Sequence, residues 1–208
     1  MRLSNAAYRA NPWRIASIAP DFKLQDAWDL HVEGSRGDFD NLLDIMEHLN
    51  PSQGGPPLVR TLFRLRDRMG RWFGWNDGGW GDGAVKLAIP GCPETTLSAR
   101  LPEDLKNTVA VSDAARKFRP LYRADGEWAA ELSNNTVHAI MHLVWIDQGK
   151  GRYRGQMGVY VKPRGAFGSL YMALIGPFRR VIVYPAIIRQ VKIAWDARVL
   201  ANAQASRA

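Results

Sequence analysis

Between Arg119 and Lys162 apolar and polar residues alternate in short runs separated by residues that favour tight turns, and a period of two is the signature of antiparallel strands. Asp125-Gly126 and Asn134-Asn135 are two-residue turns of the kind that take positive φ, and Gln148-Gly-Lys-Gly151 supplies a third turn. The pattern predicts a four-stranded meander with strands near Arg119–Ala124, Glu127–Ser133, Thr136–Asp147 and Arg152–Lys162.

Upstream, Met1 to Phe22 reads as an irregular arm. Lys23 to Val32 then places Leu24, Trp28, Leu30 and Val32 on one alternating face, which predicts a first strand. Asp38 stands at a helix N-cap position before Phe39, Leu42, Leu43, Ile45, Met46 and Leu49, whose period is near 3.6, and Pro51 closes that helix. A second, basic amphipathic helix is predicted over Leu58–Phe73, with Leu62, Leu65, Met69, Trp72 and Phe73 on one side and Arg60, Arg64, Arg66, Arg68 and Arg71 elsewhere. Trp75 to Gly83 is glycine-rich but lacks the Lys-Ser/Thr of a phosphate loop, and reads as a flexible loop. Thr95 to Asp113 is a connector with a short helical turn at Leu101-Pro-Glu-Asp-Leu105. Phe167 to Ala203 predicts a long helix, bent or broken at Gly176-Pro177 and Pro185 because each internal proline removes a backbone hydrogen bond. Its apolar pieces flanking Arg179-Arg180 are about 13 and 8 residues, short of the roughly 20 that cross a bilayer. Membrane contact without spanning is the expectation, and Arg179 and Arg180 read as capping or surface residues.

At 208 residues the chain accommodates one domain with a real core, assigned here to 23–208 behind the arm of 1–22. An apolar share of 46% with eight Trp, seven Phe and six Tyr excludes a disordered chain. The single cysteine, Cys92 in a Pro-Gly-Cys-Pro turn, gives no disulfide framework and no cysteine cluster for a metal or iron–sulfur group. With no apolar run behind the first charges, a cytoplasmic location without a cleaved leader is expected. The net charge of +8 comes from arginines spread along the chain, without a basic block or a nucleic-acid-binding signature. No nucleic-acid partner is expected.

The chemistry worth testing sits in the middle hairpin. If Asn134-Asn135 forms a two-residue turn, Glu131 opposes His138 and Glu127 opposes His142, with Ala129 and Ile140 between them on the same face. Cross-strand neighbours stand about 5 Å apart at the β carbon, close enough for a carboxylate to orient an imidazole and raise its basicity. These four residues are the catalytic candidates. A metal is not expected, because two histidines four apart on a strand are separated by roughly 13 Å.

Which way that face points is open. The opposite face carries Trp128, Ala130, Leu132, Val137, Ala139, Met141, Leu143 and Trp145, which simple patterning puts inside, leaving the Glu–His pairs solvated. A four-residue turn at Gln148–Gly151 instead pairs His142 with Met157, Ile140 with Val159 and His138 with Val161. The histidines then share an apolar lining with Tyr153, Met157, Val159 and Val161, and a one-residue slip reverses this.

Strand, two helices, antiparallel meander and long C-terminal helix is the element order of helix-grip proteins. Trp13-Arg14, Asp21-Phe22, Arg64-Leu-Arg66, Leu101-Pro-Glu-Asp-Leu105, Glu127-Trp-Ala-Ala-Glu131, Asn135-Thr-Val-His138, Met141-His-Leu143, Val161-Lys-Pro163 and Pro177-Phe-Arg-Arg-Val-Ile-Val-Tyr-Pro185 resemble an uncharacterised bacterial domain-of-unknown-function family allied to the START-like, polyketide-cyclase-like (SRPBCC) superfamily. The resemblance implies an α+β fold in which a curved antiparallel sheet wraps a long kinked C-terminal helix, with two shorter helices after the first strand. It also implies a cavity for a small apolar ligand, with Tyr153, Met157, Val159, Tyr171 and Tyr184 as candidate ligand contacts and no cofactor. A cofactor-free cyclase, dehydratase or isomerase, with His138 or His142 moving a proton, is the enzymatic extension. A non-catalytic peripheral membrane or lipid-handling protein, or a partner-binding subunit, is the alternative. The resemblance carries no catalytic motif, ligand identity or oligomeric state.

Overall fold

A computed structural model of the chain describes residues 1–49, 87–109 and 118–205. The basic helix expected over Leu58–Phe73, its arginines and the glycine-rich loop Trp75–Gly83 lie outside the described residues. The rest is α+β: a curved antiparallel sheet of six strands and a long C-terminal helix. The sheet has the order β1 (Arg2–Leu3), β2 (Lys23–Gly34), β8 (Tyr153–Pro163), β7 (Val137–Asp147), β6 (Glu127–Ser133) and β5 (Arg119–Ala124). β3 (Ala88–Ile89) and β4 (Cys92–Thr96) form a separate hairpin around the Pro90-Gly91 turn. The meander strands fall within about one residue of the boundaries that alternation predicts, because each is bounded by residues that favour turns.

The expected irregular arm contains β1 and two short helices, α1 (Asn5–Arg9) and α2 (Ile15–Ile18). α3 (Phe39–His48) starts where Asp38 predicts. The Asp38 carboxylate accepts from the Ser35 N–H and hydroxyl and from Asn41, closing a 3-10 turn that leads into the helix. In the C-terminal helix, α4 (Gly165–Phe178) and α5 (Tyr184–Ala205) are joined by a π turn, Arg179–Val183. The wider i to i+5 turn lies between Pro177 and Pro185, and the helix runs on through it, so of the expected bend or break the break does not occur.

Three pairings differ from expectation, each for a local reason. Asn134, not Ser133, closes the β6–β7 turn: its N–H bonds the Val137 carbonyl, and its side-chain oxygen accepts from the N–H groups of Thr136 and Val137. The central pair of the turn is thus Asn135-Thr136, so Ser133 opposes His138, Glu131 opposes Ile140, Ala129 opposes His142 and Glu127 opposes Val144. A two-residue centre is kept, so every side chain stays on its expected face. The β7–β8 turn does change parity. Gln148 bonds Arg152, and Gly149, Lys150 and Gly151 all take positive φ, making a three-residue loop. His142 therefore opposes Gly158 instead of Met157, Ile140 opposes Tyr160 instead of Val159, and His138 opposes Lys162 instead of Val161. The third difference is a bulge at Gln25 in β2, which moves Leu24 to the face opposite Trp28, Leu30 and Val32. Asn5 donates to the Leu24 carbonyl at 2.9 Å there.

Both faces of the sheet are covered. On one, Trp28, Leu30, Trp128, Met141, Leu143, Trp145 and Met157 pack against Tyr184, Ile188, Val191 and Trp195 of α5, with Phe39, Leu42 and Ile45 of α3 beside them. On the other, Ala129, Ile140, Val144 and Tyr160 lie under Tyr8, Ile15, Ile18 and Phe22 of the arm and under Ile89, Leu97, Leu101 and Leu105. The choice between a face toward the helix and a face in water was thus incomplete, since the arm and the segment 87–105 bury the second face.

Candidate functional site

Two buried polar clusters stand on opposite faces of the sheet. On the arm face Glu127, the first residue of β6, turns its carboxylate under α2. Oε2 accepts the Arg14 N–H and Oε1 the Ile15 N–H, both at 3.2 Å, which satisfies two amides at the start of that helix. Oε1 also accepts the Tyr122 hydroxyl at 2.6 Å and pairs with His142 Nε2 at 2.9 Å. His142 Nδ1 in turn lies 2.9 Å from the Tyr8 hydroxyl. Burial works to raise the Glu127 carboxyl, but hydrogen bonds from His142, Tyr122 and Arg14 outweigh it and hold it below the usual range. Burial pushes the His142 imidazole down, and Glu127 offsets only part of this. A neutral ring with its proton on Nε2 satisfies both neighbours: it donates to Glu127 and accepts from Tyr8. Tyr8 and Tyr122 are pushed up chiefly by burial and keep their protons.

The second pair on this face joins His138 Nε2 to Glu131 Oε2 at 2.8 Å, with Arg119 3.6 Å from the other carboxylate oxygen and the edge of Phe22 against the imidazole. His138 Nδ1 has no hydrogen-bond partner among the described residues. Both expected Glu–His partnerships form, as diagonal neighbours. His138 and His142 expose 0% of their surface, so a substrate reaches them only if the arm leaves.

The helix face holds the other cluster, at the seam between β2 and the C-terminal helix. Asp26 is fully buried, and its Oδ1 pairs with Arg180 Nε at 2.8 Å and with Arg2 at 3.4 Å, while Oδ2 faces Arg179 at 3.7 Å. The π turn brings Arg179 and Arg180, adjacent in sequence, to one carboxylate. They are ion-paired to a buried acid, a correction to the capping or surface role expected of them. Two residues along β2, Trp28 packs on Tyr184 with ring centroids 5.5 Å apart, and burial pushes the Tyr184 phenol up to about 12.

The changed β7–β8 register separates two groups that the sequence put together. Met157 and Tyr184 lie in the helix-face core, Tyr153 and Val159 pack against it, and Tyr171 packs on Val137, Val161 and Met172. The expected sharing of one lining by the histidines with Tyr153, Met157 and Val159 is overturned, because the odd-length loop turns those three residues to the far side of the sheet. Sequence reasoning missed Tyr8, Asp26 and Trp28 as site residues. Tyr8 left no signal. Asp26 left one: Arg179-Arg180 interrupt a stretch, 166–188, that is otherwise uncharged, and a half-buried arginine pair calls for a carboxylate.

The family described as "Protein of unknown function (DUF2867)" matches residues 18–186. No curated protein and no solved structure matches the chain.

Proposed function

The chain belongs to the DUF2867 family, and on that footing we propose that it binds a small, largely apolar molecule in the seam between the sheet and the C-terminal helix, as a helix-grip protein of the START-like superfamily. The observation that carries this reading is Trp28: its ring is buried in a lining of tryptophans, methionines and Tyr184, yet its indole N–H has no acceptor among the described residues. Buried tryptophan normally finds one, and an oxygen of a bound molecule supplies it. A mostly apolar wall with a few fixed polar groups is the usual make-up of a small-molecule site. The Glu–His pairs stand behind the sheet, so this is a reading of binding without proton transfer by His138 or His142.

Native mass spectrometry of the purified protein, followed by denaturing extraction, tests it. A small molecule that travels with the protein is expected, with Trp28→Phe weakening its retention about fivefold or more. A bare mass together with no thermal shift from lipids and polyketide-like compounds ends the reading.

A second reading, contact with a membrane surface, is favoured by the outer side of α4. Phe167, Leu170, Leu174 and, in the π turn, Val181 are exposed, and the nearby Arg180 side chain, itself partly exposed, is tied to Asp26. Gly165–Gln204 is long and apolar enough by length and composition to cross a bilayer, and 22% of its most apolar window is buried; the ion pairs of Arg179 and Arg180 with Asp26 hold its middle on the sheet. Sedimentation with phosphatidylglycerol vesicles tests this: binding weakened by Leu174→Asp supports it, and no binding at low salt removes it.

A further inference from the structure

The Asp26 cluster is unbalanced. Three guanidinium groups converge on one carboxylate, and among the described residues none of the three has another acidic partner. Taken together they carry two more positive than negative charges. Their exposures differ in a way that suggests use: the Arg2 and Arg180 side chains are 45% and 41% exposed, whereas that of Arg179 is 13% exposed.

Arg179 is the least satisfied member. Its contact with Asp26 is loose at 3.7 Å, longer than a charge-assisted hydrogen bond of roughly 2.7–2.9 Å. Its Nε has no hydrogen-bond partner among the described residues, and neither has Asp26 Oδ2. A guanidinium presents five donors in a flat fork that matches the two oxygens of a carboxylate or phosphate. Burying such a group with donors unspent is costly unless an acceptor arrives. Trp28 adds a second unspent donor on the same strand face, two residues from Asp26. Among the described residues the unmatched groups of the cluster are thus two N–H donors, Arg179 Nε and the Trp28 indole, against one acceptor, Asp26 Oδ2, and with three guanidinium groups on one carboxylate the set suits a molecule that brings oxygens and negative charge.

We propose that Arg179, Arg180 and Arg2 form an oxyanion site at the end of the seam, which holds the carboxylate or phosphate end of an amphipathic molecule whose apolar body lies against Trp28 and Tyr184. This rests on the reading of the seam as a binding site and names the polar end of its ligand. Asp26 positions the arginines in the empty protein and competes with the ligand for them. The ion pair between Asp26 and Arg180 is the tighter one, so Arg179 is the arginine that the ligand engages first.

Isothermal titration calorimetry with decanoate, decanol and inorganic phosphate tests the site on the full chain. Decanoate is expected to bind about tenfold or more tightly than decanol, as suits a charge-assisted bidentate contact. Arg179→Ala and Arg179→Gln are each expected to remove that preference while leaving decanol binding within about twofold. Asp26→Asn is expected to tighten decanoate binding several-fold, the opposite of what loss of a purely structural ion pair does. Equal affinity for decanoate and decanol overturns the oxyanion site and leaves the seam reading standing, as does a preference that survives both Arg179 variants. If neither amphiphile binds, the seam reading fails, and inorganic phosphate decides the rest. Phosphate binding abolished by Arg179→Gln retains the site as one for a free anion, and absence of phosphate binding overturns it as well.

Discussion

The two polar clusters of this sheet are each centred on a buried carboxylate but differ in how completely they are satisfied. On the arm face the carboxylate of Glu127 accepts from two backbone amides, a phenol and an imidazole, and the far nitrogen of that imidazole is met by Tyr8. On the helix face Asp26 faces three arginines, yet an oxygen of Asp26, the Nε of Arg179 and the indole N–H of Trp28 have no hydrogen-bond partner among the described residues. A saturated network holds one geometry, since each donor removed strands a buried partner. An unsaturated one bears a standing cost that a ligand can relieve. The first is how the chain fastens its N-terminal arm; the second is the site proposed above for a ligand. His138 and Glu131 stand between these cases, paired to each other, with Arg119 as a loose ion-pair partner of Oε1 and with Nδ1 lacking a hydrogen-bond partner among the described residues.

The comparison breaks most directly at Glu127. Glu127→Ala removes the acceptor from four donors and is expected to cost about 3 kcal/mol or more in urea unfolding; a cost no greater than that of Asp26→Asn would erase the distinction between the clusters. Gly158→Ala comes next. A β carbon there would lie 2.7 Å from the Tyr8 ring, so the arm must shift, at about 2 kcal/mol, with faster proteolysis between Ala10 and Phe22 as the readout. Tyr8→Phe is subtler, leaving Nδ1 of His142 without its donor for about 1–2 kcal/mol.

The pH dependence of stability sharpens the same contrast. His142 is depressed below its ordinary 6.5, so as pH falls below that value the unfolded chain takes up a proton that the folded chain refuses. Stability is therefore lost with falling pH from about 6.5 downward. Glu127 is depressed below its ordinary 4.5, and its contribution is present above that value and lost as pH falls through the lower folded value. The urea midpoint should decline in two stages, and His142→Gln should remove the upper one. A single decline below 4.5 in the unaltered protein would mean that His142 is not held neutral. The smallest effect is expected on the outer side of α4, where Leu174→Asp should change stability by no more than about 0.5 kcal/mol.

Much of the fold was legible because its signals are local. The meander strands, the start of α3 at Phe39 and the long C-terminal helix follow from alternation, capping and helical periodicity. The shared face of Glu127, Glu131, His138 and His142 followed from counting in twos across a hairpin, and it survived an error in the turn because the real turn also has two central residues. The β8 side of the site did not survive. Gly149, Lys150 and Gly151 all take positive φ, and a lysine in that conformation is not visible as a turn signal. A loop one residue shorter than the expected four reversed a whole strand and sent Tyr153, Met157 and Val159 to the other side.

What the sequence by itself determined is therefore the four strands of the meander, the start of α3, the long C-terminal helix, and which side chains travel together along one face of β6 and β7. Only the tertiary structure decided what each face meets. The arm that seals the Glu–His pairs and the acid that gathers Arg179 and Arg180 come from parts of the chain more than 100 residues away. Such pairings are set by how two covered surfaces fit and by whether each buried polar group finds a partner. No period within a single segment encodes either condition.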